Sequence, residues 1–441
     1  MSSLVHAHAA ILSIGDELVR GQTLDTNSRL LSSRLMQLGI ETVEHATVGD
    51  DLGALVGAIK RLASRAPLVI ATGGLGPTDD DLTRDALAAV LGDRLVEDPD
   101  ALAQLSDRLR SRGREVYAAQ RMQALRPERA QCLRNDFGTA PGLFARIRVE
   151  GAEADIFCLP GPPGELVPMW ESLVVPQLRP EPGLTIRTRF LKLVGIPEAE
   201  AASRVPGIMA RDASPQVGIT ASGGILTWRI RYRGPMPPAA AESEVDRVAQ
   251  CIIDAMGEHV FATGEVTLAA AVLDALKART QMFATVESCT GGLLGAQLTA
   301  VPGSSAAFAG GFVTYTNALK QSLVGVRSET LDAHGAVSAE CAREMAAGGV
   351  ERTGADWCVS ITGIAGPDGG TAEKPVGTVH VGLAKREHSG ARVSSRAFRI
   401  PGGRDDVRER SAMSALAMLW FALRGKDPPA KLLWEQETGS V

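Results

Sequence analysis

Three features of this sequence predict an α/β protein, with two α/β three-layer sandwich domains joined by a small α+β module. Short apolar runs without charges alternate with amphipathic stretches of helical length in both halves of the chain. Such runs read as buried strands of sheets with helices on both faces. Several of them end directly in a glycine-rich loop, where open parallel sheets hold their ligands. A proline-rich stretch from Pro176 to Gly183 separates the halves. The predicted domains are 1–177, 178–262 and 263–441.

In the first domain, Ala9 to Ile14 reads as a strand ending in Gly15, Asp16 and Glu17. Gly21, Gln22 and Asp25 to Asn27 follow, then an amphipathic helix to about Leu38. Leu68 to Ala71 is a second strand, and it passes straight into Thr72-Gly-Gly-Leu-Gly76-Pro-Thr-Asp-Asp-Asp81-Leu-Thr83. Backbone amides of a glycine loop between strand and helix approach a phosphate closely, so Thr72, Gly73, Gly74, Gly76 and Thr78 are candidate nucleotide-binding residues. Three aspartates in the same loop repel a phosphate unless a cation intervenes. A divalent metal such as magnesium resolves the conflict, with Asp80 and Asp81 as its ligands. The plainer role for these acids is to favour a helix N-terminus. Gly138 to Gly142 and Leu159-Pro-Gly-Pro-Pro-Gly-Glu165 are further loops of this character. They add Gly161 to the binding set, and Glu165 as a base or extra ligand, or else as a plain cap.

In the middle module, Arg187 to Val194 and Thr227 to Tyr232 alternate as strands and Ala239 to Met256 reads as a helix. Gly234 to Pro238 marks a turn. Nothing here carries chemistry, and the module reads as a spacer or dimer element.

In the last domain, Met282 to Val286 reads as a buried strand and Leu293 to Ala300 as a helix that starts just after two glycines. Ser288 then lies on a strand-to-helix turn. A serine hydroxyl needs a base, and a lysine desolvated enough to lose its proton supplies one, so Ser288 and Lys320 form the candidate pair. The N–H groups of Cys289, Thr290, Gly291 and Gly292 are candidate oxyanion or phosphate donors. Phe312 to Tyr315 reads as another strand, with Asn317 capping the helix that carries Lys320. Asn317 and Lys320, one turn apart, would face one pocket. Taken alone, a serine beside Thr-Gly-Gly is more often a turn or cap. The ordered set of motifs reverses that reading. Cys289 is the rival nucleophile, since thiolates attack well.

From about Leu268 to Leu423 the motifs resemble the C-terminal domain of the CinA family, the nicotinamide mononucleotide deamidase. Glu287-Ser-Cys-Thr-Gly-Gly292, Val301-Pro-Gly-Ser-Ser305, Gly311-Phe-Val-Thr-Tyr315, Gly335-Ala-Val-Ser338, Thr362-Gly-Ile-Ala-Gly366-Pro and Lys374-Pro-Val-Gly-Thr378-Val occur in the family's order. Where the family has Ser-Asn-Glu-Ala after the tyrosine, this chain has Thr316, Asn317, Ala318 and Leu319. The resemblance implies hydrolysis of nicotinamide mononucleotide to nicotinic acid mononucleotide and ammonia, without a cofactor. Ser288 would attack the amide carbon, Lys320 would carry the proton to ammonia, and Tyr315 would orient the lysine or assist transfer. Thr290, Gly291, Gly292, Gly303, Ser304, Ser305, Asn317, Thr362 and Gly363 would contact substrate, and Arg404 and Arg408 would neutralise its phosphate. Those two arginines, beside Asp405 and Asp406, also fit plain surface pairs.

From about Ala9 to Gln177 the loops resemble the family's N-terminal domain. That domain is similar in fold to molybdopterin-binding domains and is associated with metal-dependent ADP-ribose pyrophosphatase activity. The family's Gly-Thr-Glu is Gly15-Asp16-Glu17 here, and its Asn upstream of Lys-Gln-Ala is unmatched around Arg121 to Ala124. The alternative reading is a nucleotide- or molybdopterin-binding, competence-related protein without N-terminal catalysis. The resemblance also implies a homodimer.

A length of 441 residues and a 45% hydrophobic share suit several ordinary domain cores. Aromatics are only 4% and net charge is −5, which argue against nucleic-acid or membrane partners. Six cysteines without metal-ligand spacing suit a reducing cytoplasm. The segment Met1 to Ala10 has the pattern of neither a signal nor an anchor.

Overall fold

The structure is a computed structural model that describes residues 4–111, 113, 115, 117–425 and 431–436. It forms two compact units, one of residues 1–187 with 233–241 and one of residues 188–232 with 242–441. The outermost ends of the predicted first and last domains lie outside the described residues.

Unit 1 is built on β1 (His8–Ile14), β2 (Glu41–Val48), β3 (Leu68–Thr72), a small pair β4 (Leu95–Glu97) and β5 (Leu125–Pro127), then β6 (Gln131–Leu133), β7 (Gly142–Val149) and β8 (Ala152–Leu159). The main sheet has the order β2-β1-β3-β8-β7-β6. Its first four strands run parallel and its last two antiparallel. Alternate residues of one strand feed two different cores. Ala10, Leu12, Val69 and Ala71 face one layer of side chains, and Ala9, Ile11, Leu68 and Ile70 the other. This two-sided burial is why the strands read as unbroken apolar runs.

Unit 2 carries a four-stranded sheet in the order β10-β11-β9-β12, from β9 (Thr185–Val194), β10 (Gln216–Ser222), β11 (Ile225–Gly234) and β12 (Val260–Thr263). A five-stranded sheet follows in the order β14-β13-β15-β16-β17, from β13 (Phe283–Glu287), β14 (Phe308–Val313), β15 (Trp357–Gly363), β16 (Thr378–Glu387) and β17 (Gly390–Arg399). β13, β14 and β15 run parallel; β16 and β17 close the edge antiparallel. The sheet is again buried twice. Phe283, Val359 and Ile361 pack with the helix Arg404–Leu423, while Ala284, Val286 and Cys358 pack with the helix Ala339–Thr353. Val194 and Phe261 of the smaller sheet join the core of the larger one. Phe261 meets Trp420 edge-on at 6.4 Å, and Trp420 Nε1 donates to the Glu258 carbonyl.

Candidate active site

The parallel strands β13, β14 and β15 all end at the same edge of their sheet, and the chain turns there three times. Ser288 follows β13 directly, and its N–H donates to the carbonyl of Ile361 on β15 at 2.9 Å. On the other side of β13, the N–H of Thr314, one residue past β14, donates to the Glu287 carbonyl at 2.7 Å. The helix Asn317–Val324 then returns Lys320 to the same point. Lys320 is 1% exposed, its Nζ lies 2.9 Å from Ser288 Oγ, and it donates to the carbonyl of Thr314 at 2.8 Å. Burial of the amine pulls Lys320 below the ordinary lysine value, because the charged form loses its hydration. A buried amine that loses its proton more readily than usual, beside a serine hydroxyl, is the pairing that base-assisted attack requires.

Glu287 fixes this turn, and the sequence reading missed it. Its buried carboxylate accepts from the N–H groups of Gly292 at 3.0 Å, Leu294 at 3.1 Å and Gly295 at 2.8 Å. It therefore caps the helix Leu293–Thr299 from inside the fold. The Gly292 amide is consequently not an oxyanion donor, and the Gly291 amide is held by the Ser288 carbonyl. Among the described residues, the N–H groups of Cys289 and Thr290 keep no main-chain or side-chain acceptor of another residue, so these two are the donors left for an oxyanion. An acid at the last position of an apolar strand was the signal for Glu287. Cys289 itself is buried, and burial pushes its thiol up to about 11, which removes the thiolate that attack would need.

Thr362 and Gly363 lie at the same edge, at the end of β15. The Thr362 hydroxyl, however, donates inward to the Ala336 carbonyl at 2.7 Å. Thr290 is fully buried and its hydroxyl has no partner among the described residues. Tyr315 is exposed, and its hydroxyl accepts from Arg404 Nη2 at 3.2 Å; the lysine is positioned by the Thr314 carbonyl instead. Arg404 also donates to the Gly366 carbonyl at 2.6 Å, and Arg408 donates to the Thr290 carbonyl at 3.2 Å and pairs with Asp405 at 3.3 Å. Both arginines thus sit at the Ser288 edge. The helix cap is Thr316, whose side chain accepts from Leu319, so Asn317 is the first helical residue and points outward. Gly303, Ser304 and Ser305 precede β14, whose register pairs Phe308 with Phe283 and Val313 with Glu287. They lie at the opposite edge, about 15 Å away at ~3.3 Å per strand residue, and do not converge with Ser288 within one chain.

In unit 1, the loops after β1, β3 and β8 line a cavity of about 600 Å³ at the carboxyl ends of the parallel strands. Thr72, Gly73, Gly74, Gly76, Thr78, Asp80, Asp81, Gly161 and Glu165 all border it. The glycines are required. A Cβ on Gly73, at φ 103°, would stand 2.3 Å from the Ile14 carbonyl oxygen. Buried Arg84 turns the loop carbonyls away from the cavity, donating to Leu75 at 2.8 Å and to Gly76 at 2.7 Å. Asp81 has a different task from the one the sequence suggested. Its carboxylate accepts from Gly76 N at 2.8 Å, Thr78 N at 2.9 Å and Thr78 Oγ1 at 2.5 Å, filling its own loop. Gly73 N donates to the Leu159 carbonyl, while the next two N–H groups, those of Gly74 and Leu75, have no protein acceptor among the described residues.

Asp80 lies on the cavity with Glu17 and Asp50. Burial first, and then the carboxylates of Asp16, Asp80 and Glu17, push Asp50 above the ordinary aspartate value. A divalent cation would relieve that repulsion, so Asp50 and Asp80 fit the metal better than Asp81 does. No group of three or more metal-ligating side chains is gathered among the described residues. Magnesium held by one or two carboxylates, with phosphate oxygens completing its shell, needs no more. Glu165 accepts from buried Asn135 at 2.7 Å. Gln123 lines the cavity 2% exposed, with its Oε1 unpartnered.

The chain matches the CinA C-terminal domain over residues 265–423 and a probable molybdopterin binding domain over residues 10–180. It is 44% identical over 429 residues to a putative competence-damage inducible protein of Symbiobacterium thermophilum, covering 95% of this chain and 99% of that one. It is 39% identical over 419 residues to a CinA-like protein of Thermotoga maritima, with coverage of 95% and 99%. Among solved structures, the competence/damage inducible protein CihA from Agrobacterium tumefaciens is 45% identical over 36% of this chain and 93% of that chain, with a TM-score of 0.34. No helix among the described residues is long and apolar enough to cross a membrane. With identity sustained over nearly the full length of both chains, this protein belongs to the CinA family, and it carries a molybdopterin-binding-like domain ahead of the CinA C-terminal domain.

Proposed function

We propose that the C-terminal half is a serine–lysine amidohydrolase that converts nicotinamide mononucleotide to nicotinic acid mononucleotide and ammonia. The observation that carries this reading is the buried Lys320 amine, 2.9 Å from Ser288 Oγ, with its affinity for a proton lowered by burial. Neutral Lys320 takes the serine proton as Oγ bonds to the carboxamide carbon, and the oxyanion is held by the Cys289 and Thr290 amides. Lys320 returns the proton to the amide nitrogen, the carbon–nitrogen bond breaks, and ammonia leaves an ester on Ser288. Water, deprotonated by the same lysine, opens that ester to the carboxylate product. Arg404 and Arg408 offer the substrate phosphate its positive charge. None of these steps draws on a cofactor. The assay is ammonia release from nicotinamide mononucleotide by metal-free protein. Release by wild type and its loss in Ser288→Ala support the reading; no release by folded wild type overturns it.

We further propose that unit 1 holds a diphosphate-bearing nucleotide such as ADP-ribose, with Gly74 and Leu75 amides on the phosphate. Among the described residues the cavity has no Lys, Arg or His in its lining, so phosphate charge arrives with a divalent cation, here assigned to Asp50 and Asp80. When bound, that cation would polarise a phosphorus–oxygen bond. The reading as a binding protein draws support from Asp81, which is occupied by its own loop. Magnesium-dependent turnover of ADP-ribose, lost in Asp80→Asn, favours the pyrophosphatase. Tight binding without turnover favours the competence-related binding protein.

A homodimer completes the proposal. Val313, Tyr315, Leu319 and Leu323 leave an exposed apolar stripe beside the serine–lysine pair, and light scattering on the purified chain reads its mass.

A further inference from the structure

A second arrangement of charge lies in the small four-stranded sheet of unit 2. β10 and β11 pair antiparallel with Gln216 opposite Arg231 and Gly218 opposite Arg229. Paired residues point to the same side of a sheet, and alternate residues share a face, so these four positions line one side of the hairpin. Trp228 and Ile230 point the other way and are fully buried. The alternation that buries the aromatic therefore forces both arginines onto the polar face. With Arg211, from the loop before β10, they border an open cleft of about 310 Å³. Gly218 contributes no side chain to its floor.

Two of the three arginines in this cleft, Arg211 and Arg229, stand without a carboxylate partner among the described residues. The whole chain carries a net charge of −5, and many of its arginines are tied to carboxylates, as Arg146 is to Asp155 at 2.7 Å and Arg126 to Asp98 at 2.8 Å. Among the described residues, no acidic side chain lines the cleft. Asp212 follows Arg211 in sequence but is not part of the lining. Two exposed guanidiniums without a carboxylate partner, as Arg211 and Arg229 are, are matched by an anion with several acceptor oxygens. The planar fork of arginine fits phosphate in paired hydrogen bonds. The volume lies at the small end of the range of about 300–1,000 Å³ for small-molecule sites.

We infer that this cleft is an anion site that takes a small ligand through a phosphate or pyrophosphate group, with Arg211 and Arg229 as its principal donors. It is separate from both sites assigned above and does not depend on either assignment.

The test is calorimetric titration of the full-length protein with inorganic pyrophosphate at low salt. EDTA is present to silence metal-dependent binding elsewhere. Wild type should bind one equivalent per chain, with affinity that falls as salt rises. Arg211→Ala/Arg229→Ala should weaken binding at least about tenfold, a loss of ~1.4 kcal/mol. Arg229→Lys, which keeps the charge and loses the fork, should weaken it less. Both arginines are exposed, so unchanged melting temperatures are expected, and each single variant serves as a check on the double. Absence of pyrophosphate binding by wild type, or binding unchanged in the double variant, overturns the inference. A single-stranded oligonucleotide bound far more tightly than pyrophosphate, and lost in the same variant, overturns the small-ligand assignment in favour of a nucleic-acid surface.

Discussion

Lys320 Nζ stands 2.9 Å from Ser288 Oγ across 32 residues of chain, and three hydrogen bonds of neighbouring backbone hold it there. Thr314 N reaches the Glu287 carbonyl, Ser288 N reaches Ile361, and Lys320 Nζ reaches the Thr314 carbonyl. The base is thus tied to the strand next to the nucleophile, so the two cannot separate without breaking the parallel sheet. This rigidity is what preorganises the pair.

Deamidation should rise with pH along a limb set by Lys320. Its affinity for a proton is lowered in the fold, so the limb lies below the ordinary lysine value of about 10.5. A profile of kcat/KM against pH, made beside Lys320→Arg, reads this directly. The arginine variant cannot lose its proton and should fall by about 100-fold or more at every pH.

Lys320 should also cost the protein stability. A lysine whose affinity for a proton is depressed by folding leaves stability intact above the unfolded value and removes it as pH falls through the folded value. Lys320→Met takes away that dependence. Urea unfolding near neutral pH should place it no more than about 1 kcal/mol below wild type, or above it, while ammonia release is lost.

Glu287→Ala should destabilise unit 2 by about 2–4 kcal/mol, because it strands three N–H groups at one helix start, that of Leu294 buried and those of Gly292 and Gly295 part-buried. Glu287→Gln keeps the shape and should recover part of that loss. In the glutamine variant kcat should fall with KM little changed, since the turn that aims Ser288 loosens while the arginines stay in place.

In unit 1, Gly73→Ala should abolish nucleotide binding, as its Cβ meets the Ile14 carbonyl oxygen at 2.3 Å in a left-handed conformation. Gln123→Leu should leave stability within about 1 kcal/mol of wild type, because it removes an unpartnered buried oxygen. It should nevertheless weaken ADP-ribose about tenfold if that oxygen meets a donor on the ligand, which equilibrium titration would measure.

Strands buried on both faces were legible in the sequence, because runs such as Leu68 to Ala71 leave no polar position to expose. The sequence predicts a strand over Phe312 to Tyr315, because Gly310 and Gly311 interrupt the apolar run before it; the structure places β14 at Phe308–Val313. The helix cap was misplaced by one residue, with Thr316 and Asn317 equally apt by type. Ser288 and Lys320 were legible from their motifs. The supports were not, because a backbone acceptor such as the Thr314 carbonyl has no signature, and an acid such as Asp81 looks alike whether it binds a metal or its own loop. The expected gathering of Ser304 with Ser288 failed on strand direction, which short motifs do not encode.

The central claim is that Ser288, and not its neighbour Cys289, carries the acyl group. Acid quench of the protein during turnover of nicotinamide mononucleotide, followed by peptide mass spectrometry, tests it most directly. The account predicts a nicotinoyl nucleotide ester on Ser288, absent in Ser288→Ala and retained in Cys289→Ala. An adduct on Cys289, or undiminished ammonia release by Ser288→Ala, would contradict it.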